Sequence, residues 1–218
     1  MSTINTITDV LQAVHRKYEG DTNYPSAGSE DHTIRLEHAN DAIGLWESEA
    51  LDGSVVWESL ISEAVVSAGG NGSDDLPSDF LSTYRADGGR QAYCTAGETT
   101  YRQVTPGVGN WRKKENITVE PVFWIAGGKI KTFPAATSDI TLPYLRRAKR
   151  YASGTESDPL DVPEGYFLVY YVLSQLYATD RDVALMDLNL GRAEELMGKM
   201  KSGSVNEHES ESDFVIGT

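Results

Sequence analysis

The sequence predicts an α+β fold, with a helical bundle built from N- and C-terminal helices and an antiparallel β-region inserted between them. Three observations carry this. Apolar residues recur at steps of three and four before the linker at Gly69 and again after Pro163. Between Phe80 and Tyr144 the texture changes to short β-branched and aromatic runs separated by glycine turns. The segment Leu76-Pro77-Ser78-Asp79-Phe80 marks the switch. The resulting division is 1–75 for N-terminal helices and linker, 76–150 for the β-rich region, 151–201 for C-terminal helices completing the bundle, and 202–218 for an acidic flexible tail.

Ile4, Ile7, Leu11, Val14 and Tyr18 make one stripe of a first helix, with Ser2 or Thr3 available as cap and Gly20 as stop. A second helix is expected from about Asp31 to Leu51, with Ile34, Ala39, Ala42, Ile43, Trp46 and Ala50 on its apolar face. A third helical segment is expected over Val55 to Ser67, although Val55-Val56-Trp57 also suits a strand. Residues 69–75 (GGNGSDD) read as a flexible connector.

In the β-region, residues 82–86 and 99–104 are strand candidates, and 105–110 form a loop. The clearest local signal is a hairpin, in which the β-rich run 116–126 meets Lys129–Phe133 across Gly127-Gly128. Ile140 to Leu145 reads as an edge strand, because Pro143 cannot donate to a ladder. Pro163 then opens a helix with Tyr166, Val169, Tyr170, Leu173 and Tyr177 expected on its buried face. A last helix is expected from Asp180 to about Lys201, with Ala184, Leu188, Ala193 and Leu196 inward and Gly203 as its stop. Residues 204–218 are acidic and end in the apolar triplet Phe214-Val215-Ile216.

The formal net charge of −14 argues against a protein that grips nucleic acid, since such affinity comes from neutralising phosphates with cations. The acidity either serves solubility alone, the commoner case, or makes a wall past which DNA slides. The single cysteine, Cys94, excludes an intrachain disulfide. No signal-peptide pattern and no membrane-length apolar run are evident, so synthesis in a reducing cytoplasm is expected.

Nothing in the spacing suggests a catalytic or metal apparatus, and no cofactor is expected. His32 and His38 are six residues apart and do not share a helical face. Asp74, Asp75 and Asp79 lack the glycine and terminal glutamate of a calcium loop. Gly107 and Gly109 precede Asn110-Trp111 where a dinucleotide fingerprint needs a helix start. The basic clusters Arg112-Lys113-Lys114 and Arg146, Arg147, Lys149 and Arg150 stand out in so acidic a chain. They are either solvated faces or contacts to an acidic surface, and Arg146, Arg147 and Arg150 are candidates for contact with another copy. Tyr166, Tyr170, Tyr171 and Tyr177 suit core or subunit packing better than a binding cage.

Several features occur together in order: Asn40-Asp41-Ala42-Ile43 with Trp46, then Leu76-Pro77-Ser78-Asp79-Phe80, the hairpin Phe123 to Pro134, Ile140-Thr141-Leu142-Pro143-Tyr144, and a tyrosine-rich helix entered through Leu160 to Tyr166. Over residues 3–200 this layout resembles the head-to-tail adaptor (head-completion) proteins of tailed bacteriophages and related viruses. On that resemblance Leu76, Pro77, Asp79, Phe80 and Trp46 are structural motif residues. The resemblance implies a non-enzymatic virion protein of the neck, forming a ring of about twelve copies under the portal. The ring would extend the DNA channel and hold the tail or a stopper protein. Its expected partners are the portal, the tail or stopper, and further copies of itself; DNA passes unbound and no membrane is involved. The span from Arg85 to Lys114 is longer and more polar than a minimal member requires, and the acidic tail has no counterpart. Phe214, Val215 and Ile216 could dock as an added strand on a portal subunit.

Three other readings remain open. A stopper protein would be smaller and richer in β structure. A small hydrolase would need two carboxylates converging in one pocket. A host-directed binding module would act as a monomer or small oligomer.

Overall fold

A computed structural model describes residues 4–20, 22, 24–51, 55–85, 91–105 and 120–212, the stretch 204–212 as backbone alone. The fold is α+β, with four helices and a mixed sheet among the described residues. The chain divides into two compact units, the first from Met1–Ser59 with Ala148–Asp213, the second containing Leu60–Arg147.

The first unit is helical. Helix α1 (Ile7–Tyr18) buries Ile7, Val10, Leu11 and Val14, as its stripe predicts. Its start is fixed by a reciprocal capping box between Thr6 and Asp9. The expected caps Ser2 and Thr3 precede it, and both lie outside the described residues. Helix α2 (Glu30–Ser48) is capped by Ser29, whose hydroxyl accepts from the His32 N–H. Helix α3 (Gly165–Thr179) is apolar nearly all round and packs against α1, α2 and the final helix α4 (Val183–Ser212).

Two helix faces differ from expectation. On α3 the buried side chains are Phe167, Leu168, Val169, Val172, Leu173, Ser174 and Leu176, whereas Tyr166, Tyr170 and Tyr177 are half-buried. On α4, Asn189 and Ala193 are buried while Ala184 and Leu188 are exposed, so the stripe is rotated from the one expected. Asp182, not Asp180, caps α4 by accepting from the Leu185 N–H, and the helix continues through Gly203.

The N-terminal segment is pinned to the loop before α3. Leu160 N–H donates to Asn5 O at 2.9 Å, and Thr8 N–H donates to Glu156 O at 3.0 Å. Gly165 is required here, because a Cβ would lie 2.7 Å from the Ile4 carbonyl oxygen. Backbone cannot yield as a side chain does, so Gly165→Ala should cost about 1–3 kcal/mol. A lowered denaturation midpoint at unchanged m-value would register it.

The second unit is a sheet in the order β1-β8-β4-β5-β6-β7-β2, with β3 also on β8. Its strands are β1 (Ile61–Val66), β2 (Ser73–Asp75), β3 (Phe80–Thr83), β4 (Tyr93–Ala96), β5 (Thr99–Gln103), β6 (Val122–Ala126), β7 (Lys129–Phe133) and β8 (Ile140–Arg146). The expected helix over Val55–Ser67 is instead a 3-10 turn at Glu58–Leu60 followed by β1. The β-branched Val65 and Val66 favour a strand, and β1 pairs antiparallel with β8 along its whole length. The β-region therefore begins upstream of Leu76.

The sheet is mixed rather than antiparallel, because β5 and β6 run parallel, Arg102 opposite Val122. Nor is β8 an edge: it pairs with β1 on one side and with β4 and β3 on the other. Pro143 is tolerated because the pairing to β4 covers Ile140 and Thr141, that to β3 covers Tyr144 to Arg146, and Pro143 falls between them. The hairpin β6–β7 forms across Gly127 (φ 63°) and Gly128 (φ 71°), both left-handed as a type I′ turn demands; its first strand starts at Val122, and the expected residues 116–119 lie outside the described residues. Phe123, Ile130, Ile140 and Leu142 are completely buried at the centre of this unit.

Candidate functional site

The motif residues are structural within their own units. Phe80 stacks on Tyr144 with ring centroids 5.8 Å apart, and Tyr144 donates its hydroxyl proton to Asp79 Oδ1 at 2.9 Å. The Asp79 carbonyl accepts from the Arg147 N–H at 2.7 Å, and the Leu76 N–H donates to Gly128 O at 3.2 Å. Pro77 contributes its carbonyl to the Phe80 N–H, closing the turn into β3. Leu76 and Phe80 both pack against the core of the second unit. The segment is thus a corner that ties three strands together.

Trp46 is completely buried in the first unit and stacks on Trp57 at 5.1 Å. The Trp57 indole N–H donates to the Trp46 carbonyl at 2.9 Å. Next to it, buried Glu47 accepts from the Ala148 N–H at 2.7 Å and from the Arg150 guanidinium at 2.6 Å. Arg150 is therefore committed within its own chain. Arg146 is half-buried at the end of β8, and its guanidinium donates to the Arg147 carbonyl at 3.3 Å. Arg147 is exposed. The basic cluster is split between an internal ion pair and exposed positions, a division that sequence spacing does not reveal. Arg112, Lys113, Lys114, Phe214, Val215 and Ile216 lie outside the described residues.

The tyrosines act as clamps between helices. Tyr170 is flanked by Lys17 of α1 and Arg192 of α4, each 5.4 Å from the ring centroid. Tyr18 packs against Tyr177 at 5.3 Å and donates to Asp180. Burial and this acidic partner push the Tyr18 hydroxyl up to about 12. Tyr24 stands between His15 and His32, edge-on to both, and burial pushes its hydroxyl up to about 12 as well. His15 Nδ1 faces the Arg35 guanidinium at 2.8 Å, and His32 Nε2 lies 3.4 Å from Glu156 Oε1.

These groups face one another. Asp75 pairs with Lys129 at 2.7 Å, and Asp74 accepts from the Gly69 N–H at 2.7 Å. Burial pushes the Cys94 thiol up to about 12, which leaves it protonated and unreactive at neutral pH. Among the described residues, no three His, Cys, Asp or Glu side chains are grouped to hold a metal, and no helix is long and apolar enough to cross a membrane.

Exposed apolar residues occur in both units, Val65, Tyr93 and Phe133 on strands and others on or next to the helices. Ile34, Leu45, Leu51, Val183, Leu185 and Leu188 are all more than a third exposed. Sequence periodicity assigned Ile34 and Leu188 to the core, so these surface positions were missed. Scattered exposed apolar residues are normal, and Leu185 and Leu188 are neighbours on one helix face.

Comparison with curated proteins finds no match. The family model described as SU10 adaptor protein matches residues 5–211, which includes both compact units almost entirely. The chain belongs to the SU10 adaptor protein family and is a phage adaptor protein.

Proposed function

We propose that this adaptor is a structural, non-enzymatic protein of the virion neck, assembling as a ring beneath the portal. The ring continues the DNA channel and offers the tail, or a stopper protein, its platform. The family match over residues 5–211 is the observation that carries this reading. The interior supports it: buried Glu47 and half-buried Asp79 bond to backbone and neighbouring side chains, as a building block requires. The net charge of −14 favours passage of DNA without adhesion.

Attachment to the portal is assigned to the apolar end of the chain, Phe214, Val215 and Ile216, added as a strand to a portal subunit. Arg147, exposed and cationic, is the member of the basic cluster left for contact with an acidic neighbour; Arg146 is half-buried and Arg150 internally paired. Removing residues 213–218 should leave the fold unchanged and reduce co-sedimentation with portal rings at least tenfold. Unchanged co-sedimentation would refute the assignment of the tail.

A further inference from the structure

The connector between β1 and β2 carries chemistry that neither the packing nor the neck role uses. Asn71 is the only asparagine of the chain that precedes a glycine. It is exposed, in the turn that leads into β2. Its side chain is folded back on the main chain, where Asn71 Oδ1 accepts from the Ser73 N–H at 2.9 Å. The ring closed by that bond contains both Asn71 Cγ and the Gly72 nitrogen, so an electrophile and a nucleophile are kept close together. The Gly72 N–H has no acceptor among the described residues, and glycine has no Cβ to shield the nitrogen. Asn40 and Asn189 differ. Asn40 uses both ends of its amide on the Tyr151 backbone, and Asn189 is buried and bonded to the Leu185 carbonyl.

The strand that follows Asn71 has no spare room. Gly72 O accepts from the Thr132 N–H at 3.0 Å, and a Cβ on Gly72 would lie 2.8 Å from the Thr132 carbonyl oxygen. Buried Asp74 accepts from the Gly69 N–H at 2.7 Å, so the turn is tied on both sides of Asn71. β2 ends the sheet and pairs with β7 alone.

We propose that Asn71 is a site of spontaneous deamidation, and that its isoaspartyl product releases β2 from β7. The Gly72 amide gives its proton to hydroxide, and its nitrogen attacks Asn71 Cγ, forming the N–C bond of a cyclic imide. The Ser73 N–H donates to the oxyanion that develops on Oδ1. Collapse breaks the Cγ–Nδ2 bond, and the side-chain nitrogen takes a proton from water and leaves as ammonia, which regenerates the hydroxide. A second water then opens the imide. Opening at the Asn71 main-chain carbonyl leaves isoaspartate, with the chain running through Cγ; opening at Cγ leaves aspartate. No oxidation state changes, and the only co-reactant is water. Both products carry a new carboxylate. Isoaspartate alone lengthens the main chain by a carbon next to Gly72, where the contacts to Thr132 leave no space for it.

The test follows the full-length chain in mildly alkaline buffer, natively folded and in urea, by peptide mapping with mass spectrometry and by enzymatic methylation of isoaspartate. The native chain is expected to convert Asn71 at least as fast as the unfolded chain, with isoaspartate the main product and a rate that rises with pH. Slower conversion in the native chain would mean that the fold shields the amide and would overturn the proposal. Hydrogen exchange reads the consequence. The Thr132 N–H should exchange at least tenfold faster in the isoaspartyl fraction. Asn71→Asp, which carries the charge without the added carbon, should leave it at the unmodified rate. Unchanged protection in the isoaspartyl fraction would overturn the release of β2, and so would equally fast exchange in Asn71→Asp, which would assign the effect to charge. Asn71→Gln, whose longer side chain closes the ring poorly, should stay unmodified.

Discussion

Replacing Trp46 with alanine should destabilise the first unit by about 3–5 kcal/mol, the largest single effect expected from this chain. The indole is completely inaccessible, and it stacks on Trp57 at 5.1 Å with an interplanar angle of 23°. Truncation would remove that contact and leave a cavity that two packed helical layers cannot close. The neighbouring Trp57 would keep its hydrogen bond to the residue 46 carbonyl, since the acceptor is backbone. Trp46→Phe should lose clearly less. It keeps an aromatic face against Trp57, and it deletes an indole N–H that is buried with no acceptor among the described residues. Guanidinium denaturation of both variants would check the order; equal losses would mean that the stacking geometry contributes nothing beyond volume.

Glu47→Ala should cost about 2–3 kcal/mol. One carboxylate oxygen holds the buried Ala148 N–H, the other the Arg150 guanidinium. Alanine would strand the amide without an acceptor, which is the larger part of the loss. The guanidinium suffers less, because the Arg150 side chain is 41% exposed and can turn to water. Arg150→Ala should therefore be the milder change, and Glu47→Gln, which keeps an acceptor for Ala148, milder than Glu47→Ala. If Arg150→Ala proved as damaging as Glu47→Ala, the ion pair rather than the backbone bond would be what holds this junction.

Much of this fold can be read from local chemistry. The stripe of α1, the body of α2, the two-glycine hairpin and the entry to α3 each depend on spacing or turn residues within a few positions. The β4–β5 hairpin had a signal of the same kind, Gly97-Glu98 between Tyr93–Ala96 and Thr99–Gln103, with Gly97 at φ 60°. What escaped depends on long-range pairing. Val56, Leu60, Ile61, Ala64 and Val65 satisfy a helical period, yet β8 offered Ile61–Val66 a full-length partner and the strand prevailed. Pro143 argues for an edge until β3 and β4 are seen to leave a gap opposite it. The parallel pairing of β5 with β6 has no local signature at all.

The functional surface was less legible than the fold. Arg150 looks like an external contact in the sequence, because nothing local announces that Glu47, more than a hundred residues earlier, will claim it. Leu188 looks internal because its spacing fits a core stripe; only the packing of α4 on α3 through Asn189 and Ala193 turns it outward. Apolar period reports that a helix has an inner face, not which of two adjacent faces a particular neighbour will cover.

The most direct test of the proposed ring beneath the portal is the mass of purified portal rings mixed with this chain, measured by light scattering and checked by imaging. The expected result is a portal carrying one closed layer of copies, about twelve by resemblance, with no partially filled intermediates at saturation. A chain that remains monomeric and leaves the mass of the portal unchanged would contradict it.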